Sequence, residues 1–92
     1  MTTIRTENEQ LTDMLAVAER KDAKLLASFK DPRDTFLWLA LLEIPGGPHV
    51  QTKHVTWWYN AQDRAFFQGQ YFHDDMKRAY ASFVSRCNQC VE

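Results

Sequence analysis

The chain has 92 residues and a mass of 10.8 kDa, with 45% hydrophobic and 25% charged residues, which predicts one globular domain over residues 1–92. Eleven Lys and Arg against twelve Asp and Glu give a net charge of −1, which excludes a global positive field that would recruit nucleic acid or anionic membrane. The longest apolar run, residues 36–42, is too short to span a bilayer, and residues 1–10 have no signal-peptide pattern. We therefore expect a cytoplasmic protein.

Apolar residues recur at mostly helical spacing over residues 8–30, with no Gly or Pro among them. This pattern predicts a long first helix, with acidic residues near its start and basic residues later, as the helix dipole favours. The apolar stripe thins at residues 20–22, where the helix could bend or break. Asp31-Pro32 is a stop signal, because the residue before a proline is pushed out of the helical region.

Three strands and a second helix are predicted after this stop. Residues 35–44 suit a helix or a strand, and we favour a strand. The turn signal Pro45-Gly46-Gly47-Pro48 leads to alternating residues at 50–59, so the two segments predict a hairpin. A turn at 60–64 precedes a third strand at 65–72, and Asp74 or Asp75 caps the final helix. The predicted fold is a single α+β domain of order α-β-β-β-α, with a three-stranded antiparallel sheet and helices packed mainly on one face.

If both helices cover one face of the sheet, its other face is open. Val55, Trp57 and Tyr59 form the better core face of the second predicted strand, because the residues between them are mostly polar. The open face would then carry the candidate partner-binding residues His54, Trp58, Phe66 and Phe72. An exposed patch rich in aromatic residues marks a binding surface. Two alternatives stay open, that a helix crosses to this face or that a homodimer buries it.

The main electrostatic feature is the segment 20–33, where five basic residues against two acidic ones give a local net charge of +3. The basic residues are Arg20, Lys21, Lys24, Lys30 and Arg33. On a helix, Arg20 and Lys24 would share a face, which suits contact with a phosphate backbone or an acidic protein patch. The alternative is a solvated helix face whose charges complement the helix dipole.

Cys87 and Cys90 form a CxxC motif that could be half of a zinc site or a redox pair, with His49, His54 and His73 as further ligands. A second matched pair is missing, and the motif lies at the predicted C-terminal end of a helix, where the dipole opposes a thiolate. We therefore expect two reduced cysteines and neither a metal nor another cofactor. No Gly-rich phosphate loop and no nucleophile with its base is present, so we expect no enzymatic activity.

The predicted element order is that of double-stranded-RNA-binding domains, but those domains carry a lysine cluster where this chain has Asp74-Asp75. A closer resemblance lies in the C-terminal half, in Trp57-Trp58-Tyr59-Asn60, Phe66-Phe67, Gly69-Gln70-Tyr71-Phe72, Asp74, Ala79, Phe83 and Arg86. This half resembles small accessory proteins of phages and mobile elements, in which an aromatic hairpin and a "GxYFxD" entry lead into an "A-x3-F-x2-R" helix. In length, charge and layout the chain is most similar to anti-CRISPR inhibitors of type I surveillance complexes.

The resemblance implies a non-enzymatic, phage-encoded inhibitor that evades host defence in the bacterial cytoplasm. Such a protein would bind Cas protein subunits of a type I surveillance complex and block target DNA from reaching or pairing with the guide RNA. The guide RNA backbone is a further candidate partner, and the resemblance assigns no residue roles. Two other functions stay open, a small module that binds RNA or single-stranded nucleic acid, and a homodimeric regulatory protein.

Overall fold

The computed structural model describes residues 6–90, with only the backbone described for Cys90. Within these residues the elements are α1 Glu7–Arg20, β1 Lys24–Lys30, β2 Leu37–Ile44, β3 Lys53–Asn60, β4 Ala65–Tyr71 and α2 Met76–Cys90. The strands form one antiparallel sheet in the order β1-β2-β3-β4. The α+β class is confirmed, but the described sheet has four strands where the sequence predicted three.

The additional strand is β1, which lies in the second half of the predicted first helix. The helix prediction is therefore wrong for that half. Thr6 and Glu9 form a capping box at the start of α1, and Asp22, with a left-handed φ of 56°, turns the chain away after its end. The register between β1 and β2 shifts between Leu25 and Ala27, so β1 contains a bulge. The extra residue of the bulge puts the adjacent Leu26 and Ala27 on the same face of the sheet, which breaks the alternation that indicates a strand in a sequence.

The predicted hairpin around Pro45-Gly46-Gly47-Pro48 is confirmed. β2 and β3 pair without a break from Leu37 opposite Asn60 to Ile44 opposite Lys53. Residues 38–42 of β2 are all buried. Since successive side chains of a strand point to opposite faces, both faces of this strand must be covered.

The two helices lie on opposite faces of the sheet, so the prediction that they share one face is wrong. The core on the face that we call the α1 face contains Met14, Val17, Ala18, Trp38, Ala40, Leu42, Val55, Tyr59 and Ala61. The core on the opposite face, which we call the α2 face, contains Leu39, Leu41, Ala79 and Phe83. The reason is the apolar character of β2 on both sides, which a single helical layer cannot bury.

α2 keeps most of its predicted position. Asp75 Oδ1 accepts a hydrogen bond of 3.0 Å from the backbone N–H three residues later, which is the predicted cap. Ala79 and Phe83 pack on the sheet, whereas Met76 and Tyr80 are exposed. The exposed residues lie on one flank of the helix, beyond the part that meets the strands.

A buried hydrogen bond joins α1 to the central strand β2. Trp38 Nε1 donates to Gln10 Oε1 at 2.8 Å, and both side chains are buried. An indole N–H buried without an acceptor would cost about 1 to 3 kcal/mol, so the bond favours one position of α1 over the sheet.

β4 contains a second bulge, which brings Trp57 directly against Gly69. The register between β3 and β4 shifts between Thr56 and Trp58, and Gln68 has a left-handed φ of 50°. A Cβ atom built on Gly69 would collide with Trp57 Nε1 and Cδ1, so only glycine leaves room for the indole.

This bulge also corrects the predicted alternation of the strand. The sequence places Phe66 and Tyr71 on opposite faces, because five positions separate them in an uninterrupted strand. In the structure both rings contact Trp57 on the α1 face. The extra residue in the bulge shifts the alternation by one position, and this shift assembles an aromatic group on the α1 face.

We predict that Gly69→Ala lowers the free energy of unfolding by about 1 to 3 kcal/mol, because the new methyl group displaces the Trp57 indole. The matched control is Gly47→Ala, where no atom lies within 4 Å of the added Cβ, and its effect should stay below about 1 kcal/mol. Urea denaturation followed by tryptophan fluorescence measures both changes. Equal stabilities of the two variants would contradict the packing of Trp57 on Gly69.

We also predict an energetic coupling between Gln10 and Trp38. Gln10→Leu should destabilise the protein by about 1 to 3 kcal/mol, because it leaves the buried indole N–H without this acceptor. In the double variant with Trp38→Phe the donor is absent too. Its destabilisation should therefore be smaller than the sum of the two single destabilisations by about 1 kcal/mol. A double-mutant cycle in urea measures this difference, and strict additivity would mean that the bond does not hold α1 in place.

Candidate functional site

The predicted partner-binding residues do not share an open face. His54 is only 7% exposed, and its Nδ1 donates to a backbone carbonyl at 2.9 Å. Trp58 and Phe72 are half-buried against the core of the α2 face. Phe66 packs on the α1 face instead. Because α2 covers one side of the sheet and Phe66 pairs with Tyr59 on the other, these four residues do not form one exposed patch.

The structure also separates the predicted basic residues Arg20, Lys21, Lys24, Lys30 and Arg33. Arg20 and Lys21 lie at the end of α1, and Lys24 begins β1. Lys30 ends that strand, about 20 Å away, and Arg33 follows in the next turn, with its Nε 3.5 Å from the carboxylate of a neighbouring aspartate. The prediction that Arg20 and Lys24 share a helix face is therefore wrong, because the chain forms a strand and a turn after the end of α1.

A cleft of about 320 Å³ brings Arg20 and Lys21 together with a basic residue from another part of the chain. It is lined by Val17, Arg20, Lys21, Arg64, Ala65 and Phe66. The three ionisable side chains of this lining are all basic. Arg64 Nε lies 3.8 Å from Asp13 Oδ2, a partly exposed ion pair that draws Arg64 towards α1 and offsets part of the local positive charge.

Aromatic side chains continue this cleft across β3 and β4. The ring centroid of Trp57 lies 5.3 Å from that of Phe66 and 6.1 Å from that of Tyr71, whose ring is inclined at 83° to the indole. Lys21 Nζ lies 5.9 Å from the Trp57 ring centroid, within cation–π range. Tyr71 is 53% exposed, which leaves much of its ring open to solvent. We call this group the basic–aromatic surface, consisting of Arg20, Lys21, Trp57, Arg64, Phe66 and Tyr71.

Two residues that shape this surface have backbone conformations that favour glycine. Arg64 has a φ of 53° and Gln68 a φ of 50°, and each costs about 1 kcal/mol or more relative to glycine. The turn before Arg64 is closed by Asn60, whose side-chain oxygen accepts from the backbone N–H groups of Gln62 and Asp63. Glycine would fit the backbone at position 64 but could not supply a cation. Strained residues of this kind occur often at functional sites.

The sequence does not identify half of this surface. It predicts Trp57 for the core and treats Arg64 as part of a turn. Tyr71 is placed with Phe66 only by the bulge, which has no clear signal in the sequence. One sequence signal could have pointed to Arg64. This arginine stands in a turn position where glycine, asparagine or aspartate is common.

The histidines and cysteines considered for a metal or redox site do not form one in the part of the chain that the structure describes. Among the described side chains of residues 6–89, no three His, Cys, Asp or Glu come close enough to hold a metal ion. Cys87 packs against the core of the α2 face, and the side chain of Cys90 lies outside the described residues. Neither α1 nor α2 has the length and hydrophobicity that crossing a membrane requires.

Comparison with known proteins gives no relative from which a function could be transferred. No family model, no curated protein and no solved structure matches the chain.

Proposed function

We propose that the protein is a non-enzymatic, phage-encoded anti-CRISPR inhibitor, which binds a type I surveillance complex in the bacterial cytoplasm and blocks target DNA. The basic–aromatic surface carries the proposal, because it joins exposed basic side chains to an accessible aromatic group. The resemblance of the C-terminal half supports the choice of target. Inhibition by occlusion needs only a tight contact surface and no reacting group.

The composition of the surface suits such a contact. Tyrosine, tryptophan and arginine contribute most of the binding energy in protein interfaces, and the surface combines all three around Trp57. Its basic residues would face a negatively charged partner, which in a surveillance complex is an acidic Cas patch or the guide RNA backbone. Bound at such a negatively charged site beside the guide RNA, the protein would exclude target DNA by occupying the space that the DNA needs.

The proposal revises the residues that the sequence selects. Arg20, Lys21 and Phe66 remain in the contact surface, joined by Arg64 and Tyr71. The predicted contacts of His54, Trp58 and Phe72 are not part of this proposal, because α2 covers their face. Lys24, Lys30 and Arg33 lie outside the cleft lining.

We predict that the protein lowers target DNA binding by a purified, guide-loaded type I complex, and that Tyr71→Ala raises the half-inhibitory concentration about tenfold or more. The matched control is Tyr80→Ala, which removes a tyrosine of nearly equal exposure, 54% against 53%, from the α2 side of the molecule. Gel-shift titration against complexes of several type I subtypes measures inhibition. Failure to inhibit any subtype would refute the proposed function, and equal losses in both variants would refute the surface.

We further predict that Arg64→Gly weakens inhibition while leaving the free energy of unfolding nearly unchanged. The change relieves a left-handed arginine and removes a partly exposed ion pair, so the free energy of unfolding should change by less than about 1 kcal/mol. Inhibition should nevertheless weaken at least about fivefold, because a hydrogen-bonded charge is worth about 1 kcal/mol or more at an interface. Gln68→Gly, which relieves the same strain without removing a charge, is the control and should inhibit like the unchanged protein. Full inhibition by Arg64→Gly would show that the arginine has no part in binding.

A further inference from the structure

We propose that the basic–aromatic surface binds single-stranded RNA, with bases stacked on Tyr71 and phosphates held by Arg20, Lys21 and Arg64. This inference rests on the proposed function, whose target is a ribonucleoprotein, and it assigns the guide strand as the component that the surface contacts. It deepens the proposal because the same surface could otherwise face a Cas protein patch.

The aromatic rings of the surface leave one tyrosine available for stacking. Tyr71 is inclined at 83° to the Trp57 indole and is 53% exposed, so about half of its side chain is open to solvent. A base has an aromatic face of similar size, and stacking on such rings stabilises single strands without requiring a particular sequence. Phe66 continues the aromatic group into the cleft.

Cations border the rings of this surface. Lys21 Nζ is 5.9 Å from the Trp57 centroid, a separation short enough for one nucleotide to contact both a ring and an ammonium group. Arg20 and Arg64 line the same cleft, one from α1 and one from the turn before β4. Phosphate contacts from two chain segments would fix the direction of a strand across the cleft.

Two other classes of partner fit this surface less well. A duplex hides the faces of its bases, so Tyr71 would have nothing to stack on. An acidic protein segment would satisfy the cations but would leave the open tyrosine ring without a matching group.

Fluorescence anisotropy with a labelled single-stranded oligouridine of about 12 nucleotides tests the inference on the intact protein. Two to three phosphate contacts predict a loss of affinity of about 7- to 20-fold between about 50 and 200 mM salt, since the slope for single strands is about 0.7 per contact. The same RNA annealed to its complement, a DNA strand of equal length and poly-glutamate serve as competitors. Displacement by unlabelled RNA but not by the duplex or by poly-glutamate supports the inference. The DNA strand offers the same phosphates and base faces, so it should displace the labelled RNA but no better than unlabelled RNA does.

Two pairs of variants locate the contact. Tyr71→Ala should weaken RNA binding about tenfold, whereas Tyr80→Ala should leave it unchanged. The double change Arg20→Gln with Lys21→Gln should also weaken binding and flatten its salt dependence. The double change Lys77→Gln with Arg78→Gln removes an adjacent exposed basic pair from α2 and should have no effect. Equal losses in the α1 and α2 pairs would overturn the inference, because they would indicate a non-specific charge effect.

The outcome also distinguishes this inference from the proposed function. If the protein inhibits a type I complex but binds no free RNA at about 50 mM salt, the RNA inference is wrong and the proposed function stands. Stronger binding of DNA or of poly-glutamate than of RNA overturns the inference in the same way. If the protein binds RNA as predicted but inhibits no complex, the surface is an RNA site and the proposed function is wrong.

Discussion

The burial of β2 on both of its faces is the constraint on which the rest of the structure depends. Residues 38–42 are buried without exception, and they alternate between the α1 face and the α2 face. One helical layer can cover only one side of such a strand. The chain satisfies this requirement by placing α1 and α2 on opposite sides of the sheet. The buried bond from Trp38 to Gln10 ties the first of these layers to the central strand.

This arrangement determines which surface is left for binding. α2 covers the side of the sheet that carries Trp58 and Phe72, so the aromatic residues there contribute to the core. The edge of the α1 face near Phe66 and Tyr71 is open, since Tyr71 is exposed and Phe66 is only partly buried. The basic residues at the end of α1 lie beside this edge, because Lys21 lies over the Trp57 ring and Arg20 lines a cleft with Phe66. The basic–aromatic surface follows from the position where α1 ends and from the position of the β4 bulge.

Much of the fold was predictable from the sequence, because the hairpin, the C-terminal helix and both apolar sides of β2 follow from local turn signals and alternation. The strand β1 was not predictable in this way. Its bulge places the adjacent Leu26 and Ala27 on the same face, which breaks the alternation by which a strand is recognised in a sequence. The alternation of β4 failed for the same reason, since a bulge beside Gly69 moved Tyr71 to the face of Phe66. Bulges depend on the partner strand, and a pattern read along one segment does not contain that information.

The candidate site was predictable only in part. Arg20, Lys21 and Phe66 were selected as contact residues from charge and aromatic content. Arg64 and Tyr71 were not, because their proximity to the end of α1 depends on the packing of that helix against the sheet. The left-handed backbone of Arg64 is a property of the folded turn. It marks a position where a glycine would fit and a charged side chain is kept instead.

The most direct test of the account is hydrogen–deuterium exchange of the protein alone and bound to a type I surveillance complex. The account predicts that slowed exchange on binding is concentrated in the end of α1, in the turn before β4 and along β4, within residues 17–21 and 62–71. The outer side of α2 should exchange at the same rate in both states. Protection of α2 without protection of β4 would contradict the central claim, because the partner would then bind the face opposite to the basic–aromatic surface.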